Sequence, residues 1–239
     1  MSINIEELAY EQTPIGELIL RRRRFPILGE LDVFEVILND EFLMSSLFTA
    51  GEIALSKLGL DYCDIEALDV IVGGLGLGYT AVAALEDPRV KSMTVIDALP
   101  TVISWHERGL LPESTSMTKD SRCEFHTASF FELAERNFTD LAPQDPERRY
   151  DAVLLDIDHS PAQVLHPTNK AFYTVEGLTQ LRECLNPRGV FALWSDDPIE
   201  EQFTIRLSEV FADTTAHVIE VPNPITGESG TNTVYLARR

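Results

Sequence analysis

Cysteine is scarce in this chain of 239 residues: Cys63, Cys123 and Cys184 are all there are. Three scattered thiols build neither a disulfide framework nor a zinc site, so a reducing cytoplasm is the expected compartment. Long apolar runs are missing too. None approaches the ~20 residues needed to cross a bilayer, so no membrane partner is expected, although hydrophobic residues form 44 % of the chain and supply a core. Basic residues are few, 19 against 39 acidic ones, for a formal net charge of −20. Such a surface repels nucleic acid and anionic lipid and favours a cationic small molecule, or else serves only solubility. The opening MSINIEELAYEQ is acidic and lacks the basic start and apolar centre of a secretion signal. Internal repeats and low-complexity tracts are absent. The length suits one domain, or one with a smaller appendage.

The pattern divides near residue 58. Before it, IGELILRRRRF and LDVFEVILNDEFLM carry β-branched and aromatic residues, separated by Pro26 and Gly29, with Asn39-Asp40 as a turn signal inside the second. This predicts a small antiparallel β unit. Arg21 to Arg24 read as a solvated strand, with an anion site as the alternative. In SLFTAGEIALSKLGL, Leu47, Ile53, Leu55 and Leu58 fall at roughly helical spacing and Gly59 reads as a stop. Residues 1–58 are therefore a small β unit with a linking helix, and residues 59–239 a second domain.

In that second domain LDVIVGG, KSMTVIDA, CEFHTA, YDAVLLDID and GVFALWS are short apolar runs, with room between them for crossover helices. Strands alternating with helices predict an α/β fold with a parallel sheet covered on both faces. AHVIEVP and NTVYLAR, joined by the turn-rich NPITGESGT, predict a closing antiparallel hairpin, about seven strands in all.

Gly73, Gly74, Gly76 and Gly78 fall where strand 68–72 hands over to a helix over 79–86, at the sheet edge where open α/β folds bind ligands. Glycine lets a backbone take left-handed angles and approach a ligand closely; a tight structural turn is the alternative. Asp97 ends the next strand, about 20 positions on, where a carboxylate accepts ribose hydroxyls. Loop and acid together predict a bound nucleoside. The GGxGxG spacing differs from the G-x-G-x-x-G of nicotinamide sites.

That spacing, the five parallel strands and the hairpin resemble class I S-adenosylmethionine-dependent transferases with a Rossmann-like sheet. More narrowly, the chain resembles their spermidine synthase (polyamine aminopropyltransferase) branch over nearly its whole length. LNDEFLMSS stands where that branch has a hairpin leading to a helix with an inward glutamate, here Glu52. YDAVLLDIDHSP followed by KAFYTVEGLTQLRECLNPRGVFAL resembles its catalytic strand, gating loop and following helix. The resemblance implies that Gly73, Gly74, Gly76 and Gly78 underlie the methionine part of S-adenosylmethionine or its decarboxylated form, that Asp97 holds the ribose, and that Ser129 and Phe130 border the adenine. It implies Asp156 as the base, with Asp158, His159 and Glu52 disposing a small, cationic amine. It also implies a homodimer and no metal. A carboxylate beside an amine can hold the ammonium and accept its proton, and the flanking AVLL and proline-bearing loop would raise its pKa by partial burial. The sequence departs from the branch where Gly76 replaces a loop aspartate that grips the decarboxylated cofactor's amine, where Met44 replaces a hairpin glutamine, and where Ala128 or Ser129 replaces an adenine-binding aspartate. Whether aminopropyl or methyl moves stays open.

Two other readings stand beside this one. LLDIDH with Asp196 and Asp197 in WSDDP resembles the carboxylates of metal-dependent O-methyltransferases, which would suit Mg²⁺. A non-catalytic binder of S-adenosylmethionine or methylthioadenosine would also keep the nucleoside site. His106, His126, His166 and His217 show no ligand spacing, and Trp105 and Trp194 read as packing residues, Trp194 at the ligand edge.

Overall fold

The computed structural model describes residues 4–29 and 31–239; the first three residues of the expected N-terminal unit and Glu30 lie outside them. Four strands, β1 (Asn4–Thr13), β2 (Gly16–Arg24), β3 (Asp32–Leu38) and β4 (Glu41–Ser45), pair antiparallel in the order β1-β2-β3-β4. Asn39 and Asp40 join β3 to β4 with φ of 51° and 64°. Left-handed angles at both central residues are what a two-residue hairpin turn matching the strand twist requires. Along β2 alternate residues point to opposite faces. Leu18 and Leu20 enter the core, while the four arginines divide by parity. Arg21 and Arg23 reach the buried Glu35 at 2.6 and 3.2 Å; Arg22 and Arg24 pair with Asp32, and Arg22 also with Glu6. The arginine run is thus a strand, as expected, with its charges met by acids rather than by water alone. β1 is an addition to the expected fold, because NIEELAYEQT alternates too weakly to read as a strand and is held by pairing with β2.

Helix α1 (Ala50–Asp61) runs two residues past Gly59, where a stop was expected. The glycine is there for packing. A Cβ on it would come within 2.8 Å of Leu154 and 2.9 Å of Ala192, so α1 lies directly on the sheet. The elements that follow are β5 (Leu68–Gly73), α2 (Tyr79–Leu85), β6 (Val90–Asp97), α3 (Pro100–Glu107), α4 (Ser114–Thr118), β7 (Cys123–Thr127), α5 (Phe130–Glu135), β8 (Tyr150–Leu155), α6 (Val175–Glu183), β9 (Leu185–Ser195), α7 (Glu201–Val210), β10 (Asp213–Pro222) and β11 (Ser229–Arg238). The large sheet has the order β10-β11-β9-β8-β5-β6-β7. β7, β6, β5, β8 and β9 run parallel, and β11 and β10 close the sheet antiparallel.

Strand alternation divides the core between two faces. Val70, Val72, Ala152 and Leu154 pack with α1 and α2, whereas Ile71, Val153 and Leu155 pack into an aromatic cluster of Phe130, Phe131, Phe172 and Tyr173. Each fully buried aliphatic side chain here is worth ~1.5–3 kcal/mol relative to exposure. Among the described residues no helix is long and apolar enough to cross a membrane.

Candidate active site at the carboxyl edge of the sheet

Parallel strands end together, so the residues that follow β5, β6, β8 and β9 meet at one edge. The backbone ties them. Gly74 N–H donates to Ile96 O at 2.8 Å, and Asp156 N–H donates to Gly73 O at 2.8 Å. Gly74 has φ +95°, and a Cβ on it would stand 2.0 Å from the carbonyl oxygen of Asp156. Its lack of a side chain lets the loop touch the end of β8. Gly73 likewise leaves room for the Phe130 ring, and Gly78 for Met117 and His106. Gly76, at φ +47°, faces only the flexible tip of Met44, 3.0 Å from where its Cβ would be. His106 Nε2 donates to Gly76 O at 2.9 Å, which fixes the ring's tautomer because a carbonyl can only accept. Burial pushes this imidazole's pKa down.

Asp97 Oδ2 accepts from Leu75 N–H at 3.0 Å and Oδ1 from Leu99 N–H at 2.8 Å. The carboxylate is half-buried, and burial pushes its pKa up against those bonds. Gly76 N–H bears on the carboxylate as well, and the two oxygens together still keep lone-pair capacity for a ribose hydroxyl. Ser129 caps α5, its hydroxyl accepting from Glu132 N–H at 3.3 Å. Phe130 is 1 % exposed and packs beneath Gly73 in the aromatic cluster. Of these two expected adenine neighbours, Ser129 thus caps α5 and Phe130 supports the glycine loop from beneath.

Asp156 follows β8 and is half-buried. Thr80 of α2 donates its hydroxyl to Asp156 Oδ2 at 2.5 Å. Burial raises the aspartate's pKa to about 6, with the threonine bond pulling the other way. Glu52, in the first turn of α1, faces it. Burial first, then repulsion from Asp156 and Asp196, raise Glu52 to about 8, and its Oε2 is buried without a partner. Beside it Trp194 Nε1 is also buried and unpartnered. Gly51 makes this approach possible, since a Cβ there would come within 2.4 Å of both Trp194 Nε1 and Asn232 Oδ1. Asn232 in turn donates to Asp196 Oδ1 at 3.0 Å.

The loop after Asp156 is built around Asp158, 1 % exposed. Asp158 accepts from Leu165 N–H at 2.7 Å, Asn169 Nδ2 at 2.9 Å and Tyr173 Oη at 2.9 Å. Its carboxylate is spent on the loop, which burial explains: an unpaired charge there would be too costly. His159 is exposed, and its carbonyl accepts from Asp196 N–H at 2.7 Å. Gln163 Nε2 donates to both carboxylate oxygens of Asp197, at 3.1 and 3.2 Å. Among the described residues no three His, Cys, Asp or Glu side chains are gathered as a metal site. The structure thus brings Glu52 and Asp156 together and leaves Asp158 in a separate, self-contained network. Thr80, Trp194 and Asn232 join the site. Thr80 had one sequence signal, a polar residue inside the otherwise apolar YTAVAAL.

No protein-family model matches the sequence, and no curated protein matches it. Solved structures do match. The crystal structure of spermidine synthase from Thermotoga maritima superposes with a TM-score of 0.73 over 97 % of this chain and 72 % of that one, at 18 % identity. A spermidine synthase in complex with the transition-state analogue AdoDATO superposes with a TM-score of 0.72, at 17 % identity, over the same shares. The chain has the spermidine synthase-like form of the class I methyltransferase fold, including the small N-terminal sheet.

Proposed function

We propose that this chain is an alkyltransferase that uses S-adenosylmethionine or its decarboxylated form to alkylate a small cationic amine. The observation that carries this reading is the Glu52–Asp156 pair at the end of β8, with Asp156 at a pKa of about 6. At neutral pH Asp156 is ionised yet basic enough to take a proton, while Glu52 keeps its own. Residues for the adenosyl group fit: Asp97 retains lone pairs for the ribose, and Gly76 leaves the loop open above Met44. A bound adenosyl sulfonium would supply the alkyl group, its carbon–sulfur bond breaking toward sulfur as the nitrogen–carbon bond forms. Asp156 receives the proton that the nitrogen sheds, so charge balances. Glu52, Asp196 and Trp194 line the amine's side, and His159 sits at the rim. Asp158 acts at one remove by holding the loop. A homodimer and a cytoplasmic location belong to the same reading.

Calorimetry and product analysis test it. An adenosyl sulfonium or methylthioadenosine should raise Tm by binding the folded state, and NAD should not. Release of methylthioadenosine identifies aminopropyl transfer; release of S-adenosylhomocysteine identifies methyl transfer. Asp156→Asn should lower turnover by a factor on the order of 10² to 10⁴ with cofactor affinity unchanged. Binding of NAD without binding of any adenosyl sulfonium would sink the proposal.

A further inference from the structure

Thr80 is 3 % exposed in α2, and both its carbonyl and its hydroxyl make a hydrogen bond to a side chain outside that helix. Its carbonyl accepts from Ser56 Oγ at 2.6 Å, and Ser56 is fully buried. Its hydroxyl reaches Asp156 Oδ2 at 2.5 Å. A buried helical threonine commonly turns its hydroxyl back to the carbonyl four residues earlier. Here that carbonyl belongs to Gly76 and accepts from His106. Ser56 stands four residues after Glu52, on the same face of α1. One helix face therefore anchors the threonine and supplies the second carboxylate of the site. Asp156 Oδ1 accepts no hydrogen bond from any described residue and is not sealed from solvent.

We propose that Thr80 is a positioning residue for Asp156: its hydroxyl fixes Oδ2 against α2 and so presents Oδ1 to the nitrogen of an acceptor amine. This rests on the reading of Asp156 as the base. The charged and titratable groups around Asp156 are few. Glu52 faces it from α1, Asp196 lies beyond Glu52 after β9, and no Lys or Arg pairs with it among the described residues. Among the described residues the threonine hydroxyl is thus the one side-chain donor that favours the ionised aspartate. Removing it should leave the proton harder to shed.

The test is a carbon-13 NMR titration of the carboxyl carbons, with Asp156→Asn assigning the signal. It is run in the wild type and again with Glu52→Gln, where the interacting pair is reduced to one carboxylate. Thr80→Val should raise the Asp156 midpoint by about one pH unit, the size expected for one hydrogen bond to a charged group. Thr80→Ser, which keeps the hydroxyl, should restore it. Where turnover is measurable, the acid limb of kcat should move by the same amount. Thr80→Ala carries the same expectation should valine's second methyl disturb α2. A folded Thr80→Val or Thr80→Ala protein with an unmoved midpoint overturns the proposal, as does a serine variant shifted as far as valine. A midpoint that moves as expected in a protein that never turns over leaves the positioning role standing and removes the enzymatic reading instead.

Discussion

Two carboxylates facing one another away from bulk water cannot both carry full charge near neutrality. Glu52 gives way: its pKa rises from 4.5 to about 8 through burial and the charges of Asp156 and Asp196. In the unfolded chain it ionises near the ordinary value, so between about pH 5 and pH 8 the folded state binds more protons than the unfolded one. Stability therefore falls as pH rises through that window. Glu52→Gln has no proton to hold and escapes the fall. Relative to the wild type it should gain on the order of 2 kcal/mol between pH 5 and pH 8, an amount reduced for partial solvent access to the site. Urea unfolding at a series of pH values measures this directly. Parallel pH curves for the two proteins would mean that Glu52 is solvated and does not interact with Asp156.

At the scale of the element, the glycine loop separates backbone necessity from open space. Gly74→Ala would place a methyl 2.0 Å from a backbone oxygen at φ +95°, where the end of β8 cannot move aside. It should cost more than ~3 kcal/mol, or prevent folding. Gly76→Ala meets only the tip of Met44 at φ +47° and should cost about 1–2 kcal/mol, the left-handed penalty alone. Thermal melts of the two variants decide it, and equal losses would contradict this account of the loop. The loop's position, the five parallel strands and the hairpin were legible because their signals are local: apolar runs of strand length, glycines at a strand end, an acid one strand later. β1 was not legible, since NIEELAYEQT alternates too weakly and its place comes from backbone pairing with β2. Nor was the extent of α1, where Gly59 is tolerated because Leu154 and Ala192 leave no room for a side chain. Asp156 stood out by its place at a strand end, and Glu52 only through the family resemblance. Thr80 did not, because its role requires two helices and a strand end to converge. Asp158 shows the converse: the family resemblance set it beside the acceptor, and the fold adds Leu165, Asn169 and Tyr173 as partners that the sequence did not signal.

Across the whole molecule, charge is the dominant imbalance, with 39 acidic side chains against 19 basic ones. Added salt acts on it in two opposing ways. It weakens surface ion pairs such as Arg136–Asp140 and Lys57–Glu86, each worth no more than ~1 kcal/mol when exposed. It also screens the mutual repulsion of the excess acids over a length that shrinks from ~30 Å at 0.01 M to ~8 Å at 0.15 M. The better-buried pairs, Glu35 with Arg21 and Arg23 above all, are screened least, so the salt effect falls mainly on the repulsion. Repulsion should win. Raising NaCl from about 10 to 150 mM is expected to increase Tm by ~2–4 °C, the shift that ~1 kcal/mol produces in a chain of this size. MgCl₂ at matched ionic strength separates screening from binding: an equal rise is screening, whereas a larger one reports a divalent cation bound by the excess carboxylates. A fall in Tm with NaCl would show that the ion pairs of the small sheet and the helix surfaces outweigh the net charge, and would reverse the electrostatic account given for the whole chain.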